Sequence, residues 1–495
     1  VPDFREEPAP VTEEAISATR PRTAPATAPA ALAVAALVAA DLAALAASLA
    51  VAVGLRVSVL PALSAAFARP TFPLSHYLAL WWLPAVYLGA LWHAGLYARR
   101  DPFWEEVRRC VGGVTTAAVL IFAVLSIARI ADDVSRPVVV AAWAVLLVAL
   151  PLARYAAKRS LIALGPWRRR TLLVGDGPQA EALRAALARD RTLGYEIVGV
   201  AATPALAPER AAALGAREVI LAAPRLEREE FLRLVEHLRE VAENVIIAPD
   251  LAEVPVLGVE VLGLFEDRTL LLRVPNNLLK PWNLAVKRAS DLVLGTLAML
   301  ACLPVLAVAG ALVALTSPGP VLHVEPRVGR RHRLFDCLKL RTMYLDAGER
   351  LAAYLAAHPD AAAEWARYRK LRAYDPRVTP VGRWLRRYAL DELPQVVNVL
   401  RGEMSLVGPR PYLPREMPLP AGDGILDVRP GMTGLWQVSG KNALAFEQRG
   451  QLDRWYVSNW SLWLDLVILV KTVPMVLRGE RHAGRPDING EVGCT

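Results

Sequence analysis

A multi-domain membrane protein is the fold class predicted here: a four-helix transmembrane bundle, then an α/β domain, then an α-rich domain holding one re-entrant membrane helix. Three observations predict it. Four long apolar runs crowd the first third of the chain, short β-type runs alternate with helical stretches in the middle, and a fifth apolar run carries basic residues on both flanks. The composition agrees: 54% of the 495 residues are hydrophobic and only 21% are charged, few for a water-soluble chain. The boundaries that follow are a disordered tail over 1–30, the bundle over 31–165, the α/β domain over 170–275, the α-rich domain over 280–480 with its re-entrant helix at 287–316, and a tail over 481–495.

The first 30 residues are rich in Pro, Ala and Thr with mixed charge. That composition reads as disorder, not as a cleavable signal. The apolar runs at about 31–55, 76–97, 111–130 and 137–164 each reach the roughly 20 residues that a bilayer-crossing helix needs. Arg99, Arg100, Arg108 and Arg109 follow the second run, and Arg154, Lys158, Arg159 and Arg168 to Arg170 end the fourth. The positive-inside rule puts both ends of the bundle on the cytoplasmic side.

Residues 171–275 read as soluble. Thr171–Val174, Glu196–Val200, Glu218–Leu221 and Asn244–Ile247 are strand-like, with helical stretches at 179–189 and 226–242. This alternation implies a parallel, Rossmann-like α/β sheet. Gly175-Asp-Gly177-Pro-Gln-Ala180 fits G-x-G-x-x-A at a strand-to-helix turn, but the second strand runs into Ala201-Ala202-Thr203-Pro204 without a ribose-binding acid. Half of the dinucleotide signature is therefore missing, and a structural or regulatory remnant is the better reading than an NAD site.

Leu292–Thr316 is an uncharged run with Lys280, Lys287 and Arg288 before it and Arg327, Arg330, Arg331 and Arg333 after it. A spanning helix would put one basic cluster on the wrong face. Pro304 sits mid-run, where it removes a backbone donor, so an in-and-out helix is expected. The stretch 446–478, with Trp455, Trp460 and Trp463, reads as interfacial helices.

A net charge of +9 suits an anionic partner: lipid headgroups or a nucleotide diphosphate. Nucleic acid is disfavoured, because no recognition motif accompanies the basic residues. Cys110, Cys302, Cys337 and Cys494 form no C-x-x-C pair, so free thiols are expected.

Beyond residue 320 the chain is basic and dense in motifs. Phosphoryl transfer needs positive charge around phosphates and a positioned nucleophile, and arginine's planar fork suits phosphate oxygens. Arg386, Arg410 and Arg429 stand beside Pro or Gly or just ahead of a helix, where a side chain can be held rigidly. Asp391 and Glu392 fall in the first turn of an expected helix over 391–400, near its positive dipole end. One carboxylate can attack phosphorus while its neighbour holds a metal. Alone, an Asp-Glu pair is an ordinary helix start.

The motifs around that pair change its weight. They include Lys287-Arg288-x-x-Asp291, Lys339-x-Arg341-Thr342-Met343, Asp375-Pro-Arg377, Leu390-Asp391-Glu392-Leu-Pro-Gln395, Ser405-Leu-Val-Gly-Pro-Arg410-Pro411 and Val428-Arg429-Pro-Gly-Met-Thr-Gly434. Asp453-x-x-Tyr456 and Trp460-Ser461-x-x-x-Asp465 follow. From about Lys287 to Gly479 the chain resembles the bacterial sugar transferases, the monotopic polyprenyl-phosphate hexose-1-phosphate transferases, and four spans plus an α/β insert resemble their long form.

The resemblance implies an α-rich catalytic domain on the cytoplasmic face of a multi-pass protein of the bacterial inner membrane. It implies a ping-pong transfer of hexose-1-phosphate, galactose or glucose, from a UDP-sugar to undecaprenyl phosphate, with Asp391 as nucleophile, UMP as leaving group and Glu392 holding Mg²⁺. Arg386, Arg410, Arg429, Lys339, Arg341, Asp375 and Arg377 would bind substrate, together with Lys441, which stands where relatives usually carry Arg. A homodimer and a role in surface polysaccharide synthesis go with it. Leu303 departs from the Ser that often precedes Pro304. The alternatives are a nucleotide-sugar-binding, NAD-dependent oxidoreductase and a regulatory membrane scaffold.

Overall fold

A computed structural model describes residues 27–64, 72–127, 134–222, 227–249, 260–264, 269–273, 277–368, 371, 374–419, 422–440 and 444–478. The tails expected over 1–30 and 481–495 lie outside the described residues except for 27–30, which begin the first helix. The chain forms two compact units, 1–250 and 251–495.

In the first unit, α1 (Thr27–Gly54) continues through a π-helical turn to Leu63. The second expected span is broken. It consists of α2 (Leu74–Ala79) and α3 (Trp82–His93), parted at Leu80, whose ψ of 82° is not helical. Pro84 explains the break. In a continuous helix its ring would meet the carbonyl of residue 80, whereas in the first turn of α3 it needs no donor. The 12 residues of α3 rise only about 18 Å, short of the ~30 Å hydrocarbon core. By contrast α4 (Phe103–Ile127) and α5 (Arg136–Leu164) are long and apolar enough to cross. Asp41 of α1, a charge inside the first span, is neutralised by Arg154 of α5 at 2.7 Å. Glu106 of α4 receives Arg154 at 2.9 Å and Lys158 at 2.8 Å. All four are buried, where a lone charge would cost several kcal/mol.

The α/β part follows: β1 (Arg169–Val174), α6 (Pro178–Arg189), β2 (Tyr195–Ala201), α7 (Ala207–Leu214), β3 (Glu218–Leu221), α8 (Arg228–Val241) and β4 (Asn244–Ile247). Among the described residues all its strand pairs are parallel. Their order is β2-β1-β3-β4, the flavodoxin-type winding and not the 3-2-1-4 order of a Rossmann sheet. The expected strand–helix alternation is present; the Rossmann strand order is not. Gly175 has a packing reason: φ is +128°, and a Cβ there would lie 2.4 Å from the Ala222 carbonyl oxygen.

The second unit opens on the hairpin β5 (Glu260–Leu264) and β6 (Thr269–Arg273). Then comes α9 (Pro281–Thr316), 36 residues, apolar and little buried. Pro304 lies inside it without ending it, so the helix is not divided into two at the expected break. Its first turns are lashed to the rest of the unit by one motif. Lys287 reaches Asp465 at 2.7 Å, Arg288 donates to the Val399 and Leu400 carbonyls, and Asp291 accepts from Ser405 Oγ and the Leu406 amide. Farther along, Ala309 and Val313 pack on Leu340 and Leu385.

Next are β7 (Leu322–Val328) antiparallel to β8 (Leu334–Leu340), α10 (Ala347–Ala357), α11 (Pro359–Tyr368), α12 (Pro380–Arg387) and α13 (Gln395–Arg401). A two-stranded parallel pair, β9 (Ser405–Val407) with β10 (Gly431–Thr433), precedes α14 (Phe446–Ser458) and α15 (Leu462–Arg478). Trp460 does not face outward as an interfacial indole would. It is buried and donates to Asp465 at 3.1 Å. The outward stripe of α15 is aliphatic: Leu462, Leu466, Val470, Val473 and Leu477 are exposed.

Candidate active site

A concave site of about 630 Å³ opens beside the β7–β8 hairpin. Strand alternation builds one wall: His323 and Glu325 are two apart on β7, and His323 stands opposite Lys339 of β8, so all three side chains share a face. The loop after β8 adds Arg341, Thr342, Met343 and Tyr344. The opposite wall comes from the end of α12 and the turn that follows it: Arg386, Ala389, Asp391 and Glu392.

Local sequence makes that wall. Thr379 caps α12 by accepting from the Gly382 amide at 2.8 Å. Gly382 is needed because a Cβ there would sit 2.1 Å from the Thr342 carbonyl oxygen. This close approach sets α12 against the loop after β8, and Arg386 Nε donates to Thr342 Oγ1 at 2.9 Å. Ala389 then turns the chain with φ +52°, a left-handed conformation that is uncommon outside Gly and is found at strained functional sites. Leu390 packs against the Leu340–Leu385 cluster, and the 3₁₀ turn Leu390–Glu392 leaves the two carboxylates at the cavity. The helix expected over 391–400 begins at Gln395. Asp391 and Glu392 therefore precede it in a separate turn, because Pro394 ends one turn and starts the next.

The electrostatics differ from a helix-dipole site. Burial pushes the Asp391 carboxyl above its ordinary 3.8, and the adjacent Glu392 adds to this, while Lys339 and Arg386 pull it back down. Glu392 is held by Lys339 at 3.2 Å. Burial lowers the Arg386 guanidinium, against the pull of Asp391 and Asp375. Burial alone would raise Glu325, but Arg327 beside it holds that carboxyl below its usual range.

Of the sequence candidates, Asp391, Glu392, Lys339, Arg341 and Arg386 line the cavity. Arg341 spends its guanidinium on the Ser317 and Pro318 carbonyls just past α9, tying the cavity to that helix end. The other described candidates are not among its lining residues. Asp375 and Arg377 pair with each other at 2.6 Å. Arg429 donates to the Gly402 carbonyl at 2.7 Å. Arg410 holds Glu416 at 3.2 Å. Lys441 lies outside the described residues.

Sequence reasoning missed His323, Glu325, Thr342 and Ala389 as lining residues. A period-two reading of 322–328 could have found the first two; nothing in the sequence marks a left-handed Ala. It also gave no role to Asp453. That residue is fully buried, accepts from the Arg410 amide and the Tyr412 hydroxyl, and keeps Oδ1 without a partner among the described residues. Burial pushes its carboxyl up to about 7 despite those two donors.

Comparison with known proteins places the chain in a family. Residues 282–479 match the family described as bacterial sugar transferase. The chain is 35% identical over 402 residues to the undecaprenyl-phosphate galactose phosphotransferase of Salmonella typhimurium, covering 77% of this chain and 83% of that protein. It is 30% identical over 337 residues to the UDP-glucose:undecaprenyl-phosphate glucose-1-phosphate transferase of Escherichia coli, covering 62% and 67%. The exopolysaccharide production protein ExoY of Rhizobium meliloti is 45% identical over 192 residues, 38% of this chain and 84% of that one. On that coverage, with the paired acids set in a basic cavity, the chain belongs to the bacterial sugar transferase family.

Proposed function

We propose that this chain transfers hexose-1-phosphate, galactose or glucose, from a UDP-sugar to undecaprenyl phosphate, through a phosphosugar carried on Asp391. One observation carries the proposal: Asp391 opens onto the same cavity as Lys339, Arg341 and Arg386, so a carboxylate nucleophile and phosphate-neutralising cations meet at one place. Relatives named for both sugars support the substrate class.

In the first step a carboxylate oxygen of Asp391 attacks the sugar-bearing phosphorus. The bond from that phosphorus to the bridging oxygen breaks and UMP leaves with the electron pair, giving an acyl phosphate. Undecaprenyl phosphate then attacks the same phosphorus through a phosphate oxygen. The acyl-phosphate bond breaks, Asp391 is regenerated as a carboxylate, and a lipid-linked diphosphate sugar is the product. Lys339 and Arg386 stabilise the charge that builds on the phosphoryl oxygens.

Glu392, with Asp391 beside it, fits Mg²⁺, which is ordinarily held by one or two carboxylates plus substrate phosphates and not by an all-protein cage. Bound there, Mg²⁺ would neutralise diphosphate oxygens.

The re-entrant course of α9 belongs to the same proposal. Lys287 to Gly295 pack against α13 and β9, while Ala309 and Val313 pack against Leu340 and Leu385. Both ends of the helix thus rest on one folded unit. That supports a helix held at one face of the membrane, the cytoplasmic one in this proposal, with its uncharged middle in lipid; the re-entrant course then requires a bend at Pro304 within the continuous helix.

The test is UMP release by the detergent-solubilised full chain with Mg²⁺, from UDP-galactose and UDP-glucose, compared with Asp391→Asn. Release from either sugar by the wild type and none by the variant is expected. Normal turnover by Asp391→Asn would refute Asp391 as nucleophile.

A further inference from the structure

At the end of the membrane bundle where α5 gives way to β1 lies a second cavity, of about 440 Å³, within the first unit. Arg99, Arg100, Arg168, Arg169, Arg170 and Arg217 line it, against a single acid, Glu196. Some of these arginines are already engaged. Arg168 donates to the Ile162 and Ala163 carbonyls at the end of α5. Arg169 and Arg217 share one carboxylate, Glu243, at 3.0 and 3.6 Å. The Arg99 and Arg170 side chains are exposed at the cavity and make no hydrogen bond or ion pair among the described residues. Asp101 acts on Arg99 and Glu196 stands opposite Arg170, but the six arginines leave the cavity with an excess of positive charge.

The floor is preorganised. Trp167 is 6% exposed, and its indole donates to the Thr192 carbonyl at 3.0 Å. Arg100 stacks over that ring at 4.1 Å and donates to the Trp167 and Leu193 carbonyls at 2.8 and 2.9 Å. A guanidinium fixed this way loses little freedom when an anion arrives.

The surroundings distinguish a lipid from a soluble phosphate. Ala33 and Val34 of α1, a membrane-crossing helix, line the cavity. Leu32 and Leu164, next in sequence to lining residues of α1 and of the α5 end, are 58% and 80% exposed. A nucleotide or free phosphate has no use for apolar helix ends, whereas a phospholipid lays acyl chains along them. Basic pockets at the ends of membrane helices suit anionic headgroups, and the arginine fork matches phosphate oxygens.

We propose that this arginine cavity binds the phosphate of an anionic phospholipid headgroup, with the acyl chains running along α1 and α5. The site shares no lining residue with the Asp391 cavity, and its test reads lipid retention, not transfer.

The full-length protein, purified in detergent, is exposed to phosphatidylglycerol and phosphatidylcholine in competition, and retained lipid is read by native mass spectrometry. Wild type should retain phosphatidylglycerol preferentially. Arg99→Gln with Arg170→Gln should cut that preference about thirtyfold, in line with the attraction that each of the two basic groups exerts near a lipid surface. Lys at both positions should keep most of it. Far-UV circular dichroism checks the fold, and the single Gln variants, each with a smaller loss, serve if the double variant does not fold. Equal retention of the two lipids by wild type, or an unchanged preference in the Gln variants, would overturn the proposal. Displacement of the lipid by inorganic phosphate or UMP would overturn it too, by assigning the cavity to soluble phosphates.

Discussion

Asp391 works against its surroundings. A nucleophile must be ionised, yet burial raises its carboxyl and Glu392 raises it further, with Lys339 and Arg386 opposing. The acidic limb of kcat/KM should therefore lie above the ordinary carboxylate range, with rate gained as pH rises through it. Lys339→Met removes one of the two cations that lower the carboxyl, so the limb should move to higher pH. The rate on the plateau should fall about 10²-fold as phosphoryl charge loses a partner. A pH–rate profile of the two proteins checks both; an unmoved limb would mean that Lys339 acts only on Glu392. Asp453 gives a stability counterpart. Its folded value of about 7 lies above the ordinary 3.8, so between those values the native state keeps a proton that the unfolded chain releases. Its contribution to stability therefore falls as pH rises from about 4 to about 7, then stays level. Asp453→Asn, which keeps an acceptor for the Arg410 amide and Tyr412 hydroxyl, should lack that decline. Thermal midpoints of both proteins across this window decide it.

At the scale of elements, the Lys287-Arg288-x-x-Asp291 motif fixes the membrane helix to the core. Lys287 is buried with Asp465, so Lys287→Ala leaves a buried carboxylate without its counter-charge and should cost about 3–5 kcal/mol. Lys287→Met with Asp465→Asn, which removes both charges and keeps a carbonyl acceptor beside the Tyr456 hydroxyl and the Trp460 indole, should recover most of that loss in chemical denaturation. A double variant as unstable as the single one would mean that packing, not charge pairing, holds α9. The same scale shows what was legible in the site. Lys339, Arg386, Asp391 and Glu392 were readable as chemistry and do meet. Arg410 and Arg429 were singled out because rigid arginines suit phosphate, but a rigid guanidinium suits a carboxylate or backbone carbonyl equally well, and Glu416 and Gly402 are what they hold. His323 and Glu325 enter through strand register, which two unpaired stretches of sequence do not reveal. The break at Leu80 was legible in retrospect, since Pro84 was there to be read against the apolar run.

For the whole molecule, hydropathy and strand–helix alternation were enough to foresee membrane helices, an α/β part and an α-rich part. Strand order was not legible. Parallel β2-β1-β3-β4 winding depends on which edge of β1 each crossover reaches, and crossover length leaves that open. The central claim is that a phosphosugar resides on Asp391 between two half-reactions, and the direct measurement is intact-protein mass after incubation with UDP-sugar and Mg²⁺ in the absence of undecaprenyl phosphate. Wild type should gain one hexose phosphate and release an equal amount of UMP, the adduct should disappear when undecaprenyl phosphate is added, and Asp391→Asn should gain nothing. UMP that appears only when undecaprenyl phosphate is present, with no adduct at any time, would contradict the claim and point to direct transfer between the two substrates.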